Sequence, residues 1–303
     1  MVDIIIIGAG PAGLTAAIYA RRAEKSVLVL EKETFGGQIT HSPLVENYPG
    51  FLQMSGNEFA EKLIEQALNL GAEIELEEAL AIETRDGHKV VRTDAGEHEA
   101  KAVILAAGAK HRQLGLPGEN ELIGEGVSYC AVCDGAFYKG KTVAVIGGGN
   151  SALQEAVLLS KGCEKVYILQ NLAFLTGEQR MIRQIEALEN VEIILGTVVT
   201  ALHGEDKLTA VTLRNEETGS EEELALDGIF VAIGQVPENE HFKDTVRLND
   251  YGYVDADESC TTNAEGVFVA GDCRSKTVRQ ITTATGDGAV AALAACRYVD
   301  AQG

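Results

Sequence analysis

Asp3-Ile4-Ile5-Ile6-Ile7-Gly8-Ala9-Gly10-Pro11-Ala12-Gly13 is the stretch whose reading decides the fold class of this 303-residue chain. Four consecutive isoleucines make a β-branched apolar run too short for a helix. Such a run reads as a strand buried on both faces. Glycine then recurs at Gly8, Gly10 and Gly13, and helical sequence follows from Leu14 to about Ala23. Each glycine has a physical task. The first makes a tight turn, the second lets the backbone approach a pyrophosphate, and the third allows close helix–strand packing. The N-terminus of the helix then holds the phosphates.

The same unit occurs a second time, which removes the weakness of a lone glycine triplet. Thr142-Val143-Ala144-Val145-Ile146 leads into Gly147-Gly148-Gly149-Asn150-Ser151-Ala152, then a helix to Lys161 closed by Gly162. The strand that follows the first helix is Ser26-Val27-Leu28-Val29-Leu30, ending at Glu31. Its counterpart is Lys165-Val166-Tyr167-Ile168-Leu169, ending at Gln170. From first glycine to the end of that strand is 23 positions in both copies, 31 − 8 and 170 − 147. Each copy also closes with an apolar strand running into small residues, Ala102 to Gly108 and Gly228 to Gly234, which return the chain to its sheet. Glu31 is placed to accept hydrogen bonds from a ribose without a 2′-phosphate, such as that of FAD, which makes the first unit the FAD site.

Between these landmarks, Ser55 followed by Glu58 opens a helix carrying Phe59, Leu63 and Ala67 and stopped by Gly71. Near the C-terminus, Gly266-Val267-Phe268-Val269-Ala270-Gly271-Asp272 reads as a buried strand delivering an aspartate, and Thr282 to Gly288 opens an alanine-rich final helix. A carboxylate at a strand end beside a helix N-terminus suits a flavin's ribityl hydroxyls and ring carbonyls, although the same residue also serves as a simple turn cap.

Composition narrows the function. With 46% hydrophobic and 23% charged residues the chain is that of a globular protein with a sizeable core. Lysine and arginine total 25 against 46 aspartate and glutamate, and a formal charge of −21 repels nucleic acid and anionic lipid. The acidic cluster at Glu216-Glu217 and Glu221-Glu222-Glu223 reads as a solvated hairpin tip. No apolar run approaches the roughly 18 residues of a membrane span, and Met1 to Ile7 reads as the first strand and not as a signal peptide. A cytoplasmic location is expected.

Six cysteines in a chain of this length do not make a disulfide scaffold. Cys163, Cys260, Cys273 and Cys296 are singletons, read as buried small hydrophobes. Cys130-Ala131-Val132-Cys133 differs: two thiols at this spacing form a small reversible ring, and Asp134 beside them can manage a proton. Half of a zinc site is the main competing reading, but the other cysteines are scattered and the six histidines form no paired motif, so no metal is expected.

These segments, with Gly36-Gly37-Gln38, Val45 to Gly50, Tyr129 to Phe137 and Arg279-Gln280 through Gly288, resemble the motifs of low-molecular-weight bacterial thioredoxin reductases, in order and over nearly the whole chain. The resemblance implies an α/β homodimer built from two Rossmann-like three-layer ββα nucleotide-binding domains. A discontinuous FAD domain (1–113 and 242–303) would flank a pyridine-nucleotide-type domain (114–241) carrying the dithiol. It also implies that Cys133 faces the flavin, that Cys130 exchanges with a thioredoxin-like protein, that Asp134 is the acid, and that the central domain rotates to present either nicotinamide or dithiol. The FAD contacts carried over are Gly8, Gly10, Pro11, Ala12, Gly13, Glu31, Gly37, Gln38, Asn47, Gly108, Gly271, Asp272, Arg279 and Gln280. The second nucleotide loop is Gly147, Gly149, Asn150, Ser151 and Ala152.

One departure concerns the electron donor. Family members that use NADPH follow the second unit's strand with a histidine–arginine–arginine run, whereas Gln170 to Glu178 here contains no cation before Arg180. A 2′-phosphate would lose charge-assisted hydrogen bonds worth about 1.5 to 3 kcal/mol each. Three readings stand: NADH bound through Gln170 or Asn171, Arg180 or Arg183 folded back to the phosphate, or electrons from ferredoxin with the loop a relic. Two other functions fit the same fold, a flavin reductase of a peroxiredoxin system and a flavoprotein sensor or electron-transfer scaffold with an idle dithiol.

Overall fold

A computed structural model of the chain describes every residue except Pro43 and Gly303, together with the side chain of His41. It divides into two compact units, one made of residues 1–110 and 236–303 and the other of residues 111–235. The chain therefore crosses between them twice, at 110/111 and 235/236, three and six residues before the boundaries at 113/114 and 241/242 that the sequence suggests. The unit containing the first glycine loop is built from both ends of the chain.

In chain order the first unit opens with β1 (Val2–Ile7), α1 (Pro11–Arg22), β2 (Val27–Glu31), α2 (Gly56–Asn69), β3 (Glu73–Leu76), β4 (Ala79–Arg85), β5 (His88–Thr93) and β6 (Glu97–Leu105). The crossing strand β7 (Ala109–His111) leads to β8 (Val127–Ser128), α3 (Ala131–Asp134), β9 (Thr142–Ile146), α4 (Asn150–Ser160), β10 (Lys165–Leu169), α5 (Gln179–Glu186) and β11 (Val191–Ile194). Then come β12 (Thr197–His203), β13 (Ala210–Asn215), β14 (Glu221–Ala225), β15 (Gly228–Val231) and the second crossing strand β16 (Gln235–Pro237). The chain re-enters the first unit with β17 (Val267–Val269) and ends in α6 (Ile281–Ala301).

In the first unit β3, β2, β1 and β6 lie side by side in parallel, β17 pairs in parallel with the C-terminal half of β6, and β5 and β4 extend its N-terminal half as an antiparallel branch. The isoleucine run is explained by this layering. Ile4 and Ile6 face one core with α1 and α6, while Ile5 and Ile7 face the other with Ile82 of β4 and Val91 of β5. Ile4, Ile5 and Ile6 are fully buried, each stabilising the fold by about 2 to 3 kcal/mol. The second unit repeats the plan. Its parallel sheet, in the order β11-β10-β9-β15-β8, packs one face on α4 through Leu153, Ala156 and Leu159, and the other on the antiparallel β12-β13-β14 sheet through Val211 and Leu213.

The two glycine loops are superposable in their hydrogen bonding. Gly8 N–H donates to Leu30 O at 2.7 Å, and Gly147 N–H to Leu169 O at 2.9 Å. Both have positive φ, +107° and +129°. A Cβ there would lie 2.3 Å from Ala106 O and 2.6 Å from Ala232 O, the ends of the two return strands. Only glycine fits such a turn against backbone. Ser55 caps α2 by accepting the Glu58 N–H at 3.1 Å, as its spacing predicts. The acidic cluster spans the turn from β13 into β14.

Candidate functional site

The second unit carries the dithiol. Cys130 and Cys133 are joined as a disulfide with Cα atoms 5.3 Å apart. Cys130 is the N-cap of α3, a single turn of helix, and its sulfur accepts the Cys133 N–H at 3.2 Å. The sequence bends here because Gly135 ends the turn and a 3₁₀ turn from Gly135 to Tyr138 follows. Asp134 Oδ2 accepts the Ser128 hydroxyl at 2.6 Å, and Ser128 Oγ accepts the Cys130 N–H at 3.1 Å. Serine thus ties the acid to the dithiol's backbone. Asp134 Oδ1 is buried with no partner among the described residues. Burial pushes the Asp134 carboxyl above the usual range, with the Ser128 hydrogen bond pulling the other way. A carboxyl that holds its proton more tightly than a free one, beside a reversible disulfide, is suited to supply that proton to a departing thiolate.

The four remaining cysteines are buried free thiols, as their isolation in the sequence predicts. Among the described residues no cluster of ligating side chains could hold a metal ion. No helix there is long and apolar enough to cross a membrane.

The first unit assembles its predicted residues from three distant segments. Gly10 is the N-cap of α1, with Pro11 at the first helical position. No side chain caps that end and no acid lies in the first turn, leaving its N–H groups for an external anion. Glu31 ends β2 and is buried, its Oε2 accepting the Ala9 N–H at 2.8 Å and its Oε1 the Glu33 N–H at 2.9 Å. The Glu31 carboxylate therefore fixes the loop. Gly37 opens a 3₁₀ turn containing Gln38, and a Cβ at Gly37 would lie 3.2 Å from Gly10 Cα. Asn47 Nδ2 donates to Gln280 Oε1 at 3.2 Å, so these two are neighbours although 233 residues apart in sequence.

Gly271 and Asp272 form a turn at the end of β17. Asp272 Oδ1 is buried without a hydrogen-bond partner among the described residues, and burial raises the carboxyl's pKa, with Lys276 and Arg279 drawing it back. Arg279 donates to Asp272 O at 3.3 Å, and its guanidinium lies 4.1 Å from the Tyr253 ring centre. A Cβ at Gly108 would meet nothing within 4 Å. An unsatisfied buried carboxyl oxygen, an uncapped helix N-terminus and open space before a glycine match the hydroxyl, phosphate and ring edges of FAD.

Sequence reasoning missed the group that fixes this turn. Asp287, buried in α6, accepts the Gly271 N–H at 3.0 Å, Arg274 Nε at 2.8 Å and Lys276 Nζ at 2.9 Å. Burial pushes the Asp287 carboxyl up, but hydrogen bonds from Arg274 and Lys276 outweigh it and hold the pKa below the ordinary value. The available signal was an aspartate in the otherwise uncharged N-terminal half of an alanine-rich helix.

The second nucleotide loop is covered by the segment that follows β10. Thr176 and Gly177 donate to Gly148 O at 2.8 and 3.0 Å, and Glu178 N–H donates to Asn150 Oδ1 at 2.7 Å. Ser151 and Ala152 follow Asn150 in the first turn of α4, and Gly149 is its N-cap. Gln170 is buried and packs on Gly148, where a Cβ would lie 2.6 Å from Gln170 Cδ; its Nε2 donates to Phe174 O at 3.3 Å. Arg180 and Arg183 are exposed on α5, and Asn171, Leu172, Ala173 and Phe174 are exposed before it.

Comparison with known proteins agrees with this geometry. The model of the pyridine nucleotide-disulphide oxidoreductase family matches residues 2–288. The chain is 44% identical over 301 residues to the thioredoxin reductase of Bacillus subtilis (strain 168), covering 98% of this chain and 95% of that protein. It is 43% identical over 298 residues to a 34.2 kDa protein in the rubredoxin operon of Clostridium pasteurianum, covering 98% and 97%. The crystal structure of thioredoxin reductase from Streptococcus pyogenes MGAS5005 superposes with a TM-score of 0.94 at 39% identity, covering 99% of both chains. With two strand–glycine-loop–helix units, a Cys-x-x-Cys disulfide and matches of this extent, the chain belongs to the pyridine nucleotide-disulphide oxidoreductase family.

Proposed function

We propose that this protein is a flavin-dependent thioredoxin-disulfide reductase working as a cytoplasmic homodimer. The observation that carries the reading is the Cys130–Cys133 disulfide with the buried Asp134 carboxyl beside it, in a chain similar over nearly its full length to thioredoxin reductases. FAD, when bound, supplies the two electrons that cleave the disulfide. Gly8 to Gly13 would hold its pyrophosphate and Glu31 its adenosine ribose. Asp272 would take the ribityl chain, and Gly37, Gln38, Asn47, Gly108, Gly271, Arg279 and Gln280 would frame the rest.

The chain's own residues complete the exchange. Cleavage of the disulfide takes up two electrons and two protons. Cys130, as thiolate, then attacks a disulfide sulfur of a thioredoxin-like protein, and that protein's departing sulfur takes a proton. Cys133, as thiolate, attacks Cys130 Sγ in the mixed disulfide, releasing the reduced partner and restoring the Cys130–Cys133 disulfide. Asp134 is the acid and base for these transfers.

For the donor, the cation-free segment 170–178 argues against NADPH. Gln170 is folded onto the glycine loop, and the acid Glu178 meets the first residue of the loop's helix, its Oε1 accepting from Asn150 Nδ2 at 3.5 Å. NADH or a reduced ferredoxin is the donor we infer. The test is anaerobic mixing of the purified flavoprotein with NADPH, NADH and reduced ferredoxin in turn, following flavin absorbance. Rapid bleaching is expected with NADH or ferredoxin and not with NADPH; rapid bleaching by NADPH would overturn the donor assignment.

A further inference from the structure

The turn that presents Asp272 is gripped at both ends by one carboxylate. That 3₁₀ turn runs from Gly271 to Cys273, with Arg274 as its C-terminal cap. Asp287 Oδ2 accepts the Gly271 N–H at 3.0 Å and Arg274 Nε at 2.8 Å, and its Oδ1 accepts Arg274 Nη2 at 3.0 Å. Lys276 Nζ donates to the same Oδ2 at 2.9 Å. The side chains of Arg274, Lys276 and Asp287 are all buried. Four donors on two oxygens leave the carboxylate a single orientation, and Asp272 lies between the two residues of the turn that it holds.

The same carboxylate stands where α6 meets α1. A Cβ at Gly288, the residue after Asp287, would lie 2.2 Å from Ala12 O, and a Cβ at Gly271 would lie 2.8 Å from Ala12 Cβ. Ala12 is in the first turn of α1, the helix whose N-terminus would hold the pyrophosphate. The hydrogen bond from Gly271 to Asp287 therefore closes a contact among the turn, α6 and α1. Both oxygens of Asp287 are taken up within the protein, whereas Asp272 Oδ1 is buried without a hydrogen-bond partner among the described residues. A buried ion pair returns little net stability, but it fixes geometry, and a binding group is only as well placed as the residues that orient it. We propose that Asp287 is a positioning residue for the flavin half of FAD, acting by holding Asp272 in the orientation that takes the ribityl chain. Asparagine is no substitute, because its one acceptor oxygen leaves an amide nitrogen set against donors from Gly271, Arg274 and Lys276, or against Arg274 Nη2.

The inference rests on the reading that Asp272 holds FAD, but not on the electron donor or the protein acceptor, so its test is binding and not turnover. Flavin-loaded parent, Asp272→Ala, Asp287→Asn and the double variant are diluted to nanomolar concentration, and released FAD is followed by its fluorescence. Added ADP, which carries the adenosine and pyrophosphate portion but no ribityl chain, displaces FAD and gives the ADP constant in the same proteins. Asp272→Ala and Asp287→Asn are each expected to raise the FAD dissociation constant about tenfold or more, the value of a hydrogen bond to a charged group. The ADP constant should keep its parental value in both. The double variant should bind FAD no more weakly than Asp272→Ala alone, because Asp287 acts through Asp272. If Asp287→Asn is isolated free of flavin, ADP binding to that full chain is read by calorimetry, and parental ADP affinity is again the expected result. Parental FAD affinity in Asp287→Asn beside a weakened Asp272→Ala would overturn the inference alone. So would loss of ADP and FAD affinity together in Asp287→Asn, or additive losses in the double variant. Parental FAD affinity in Asp272→Ala would instead remove Asp272 from the flavin site, and the inference with it.

Discussion

At the scale of single residues, the chemistry depends on where Asp134 keeps its proton. Its Oδ2 is tied to Ser128 at 2.6 Å and its Oδ1 is sealed from solvent, so the carboxyl is both oriented and biased toward the neutral form. Asp134→Asn preserves shape and removes the proton. Positioned acids contribute roughly 10²- to 10⁴-fold to such steps, so thiol–disulfide exchange followed by stopped flow should slow by about a hundredfold or more with the flavin spectrum unchanged. Ser128→Ala, which leaves the acid in place but loosens it, should cost about tenfold or less, the value of one ordinary hydrogen bond. Equal rates in Asp134→Asn and the parent would remove the acid from the mechanism.

Asp287 provides a residue-scale prediction about pH. Its folded-state pKa lies below its unfolded value, so the stability it contributes is present above the unfolded carboxylate pKa, about 3.9, and is lost as pH falls through the folded one. The melting temperature of the flavin-loaded protein should therefore fall more steeply below about pH 4 than that of Asp287→Asn, which has already lost this term. Parallel pH profiles for the two proteins would show that the cluster with Arg274 and Lys276 carries no such linkage.

At the scale of elements, close helix packing sets what the sequence must supply. α6 crosses α1 where a Cβ at Gly288 would lie 2.2 Å from Ala12 O, a backbone atom that cannot rotate away. Gly288→Ala should destabilise the protein by about 1 to 3 kcal/mol, read from urea unfolding. Gly286, one residue pair away on the exposed face of the same helix, meets nothing within 4 Å. Gly286→Ala should stabilise by up to about 1 kcal/mol through helix propensity. Opposite signs at two glycines of one helix are a sharp check on this packing.

The elements that could be read in the sequence were those whose signal is local. Both strand–glycine–helix units, their return strands, the Ser55 cap and the final helix rest on periodicity and turn chemistry within a short window. Where the structure adds to them, the cause is non-local. The branch of β4 and β5 alternates weakly, because β4 ends on half-buried Glu83 and exposed Thr84 and Arg85, and its pairing to β6 is fixed only by the sheet. The site shows the same division. Cys130, Cys133 and Asp134 are adjacent in sequence, as are the glycines. Asp287, by contrast, acts across a helix-to-turn contact that no spacing rule anticipates, its carboxyl accepting the Gly271 N–H of another element.

At the scale of the whole molecule, one plan is used twice: a parallel sheet between a helical layer and an antiparallel β layer, with a glycine loop at the end of its first strand. Duplication of the fold has not meant duplication of the chemistry. Neither helix N-terminus carries a side-chain cap, but the second unit holds its loop beneath Thr176, Gly177 and Glu178 and carries the dithiol ahead of β9, the strand that leads into that loop. The acidity of the chain, at −21, repels an anionic electron carrier, so the rate with reduced ferredoxin should rise as salt screens that repulsion. A rate that falls with added salt would point to a locally basic patch.

The most direct test of the dithiol's role bypasses the donor altogether. The flavin-loaded protein is photoreduced anaerobically, mixed with oxidised thioredoxin, and the thioredoxin thiols formed in a single turnover are counted by alkylation. The parent should deliver one dithiol per reduced chain. Cys130→Ser, with its flavin still reducible, should deliver none; delivery by Cys130→Ser at the parental rate would contradict the assignment of Cys130 and Cys133 as the working pair.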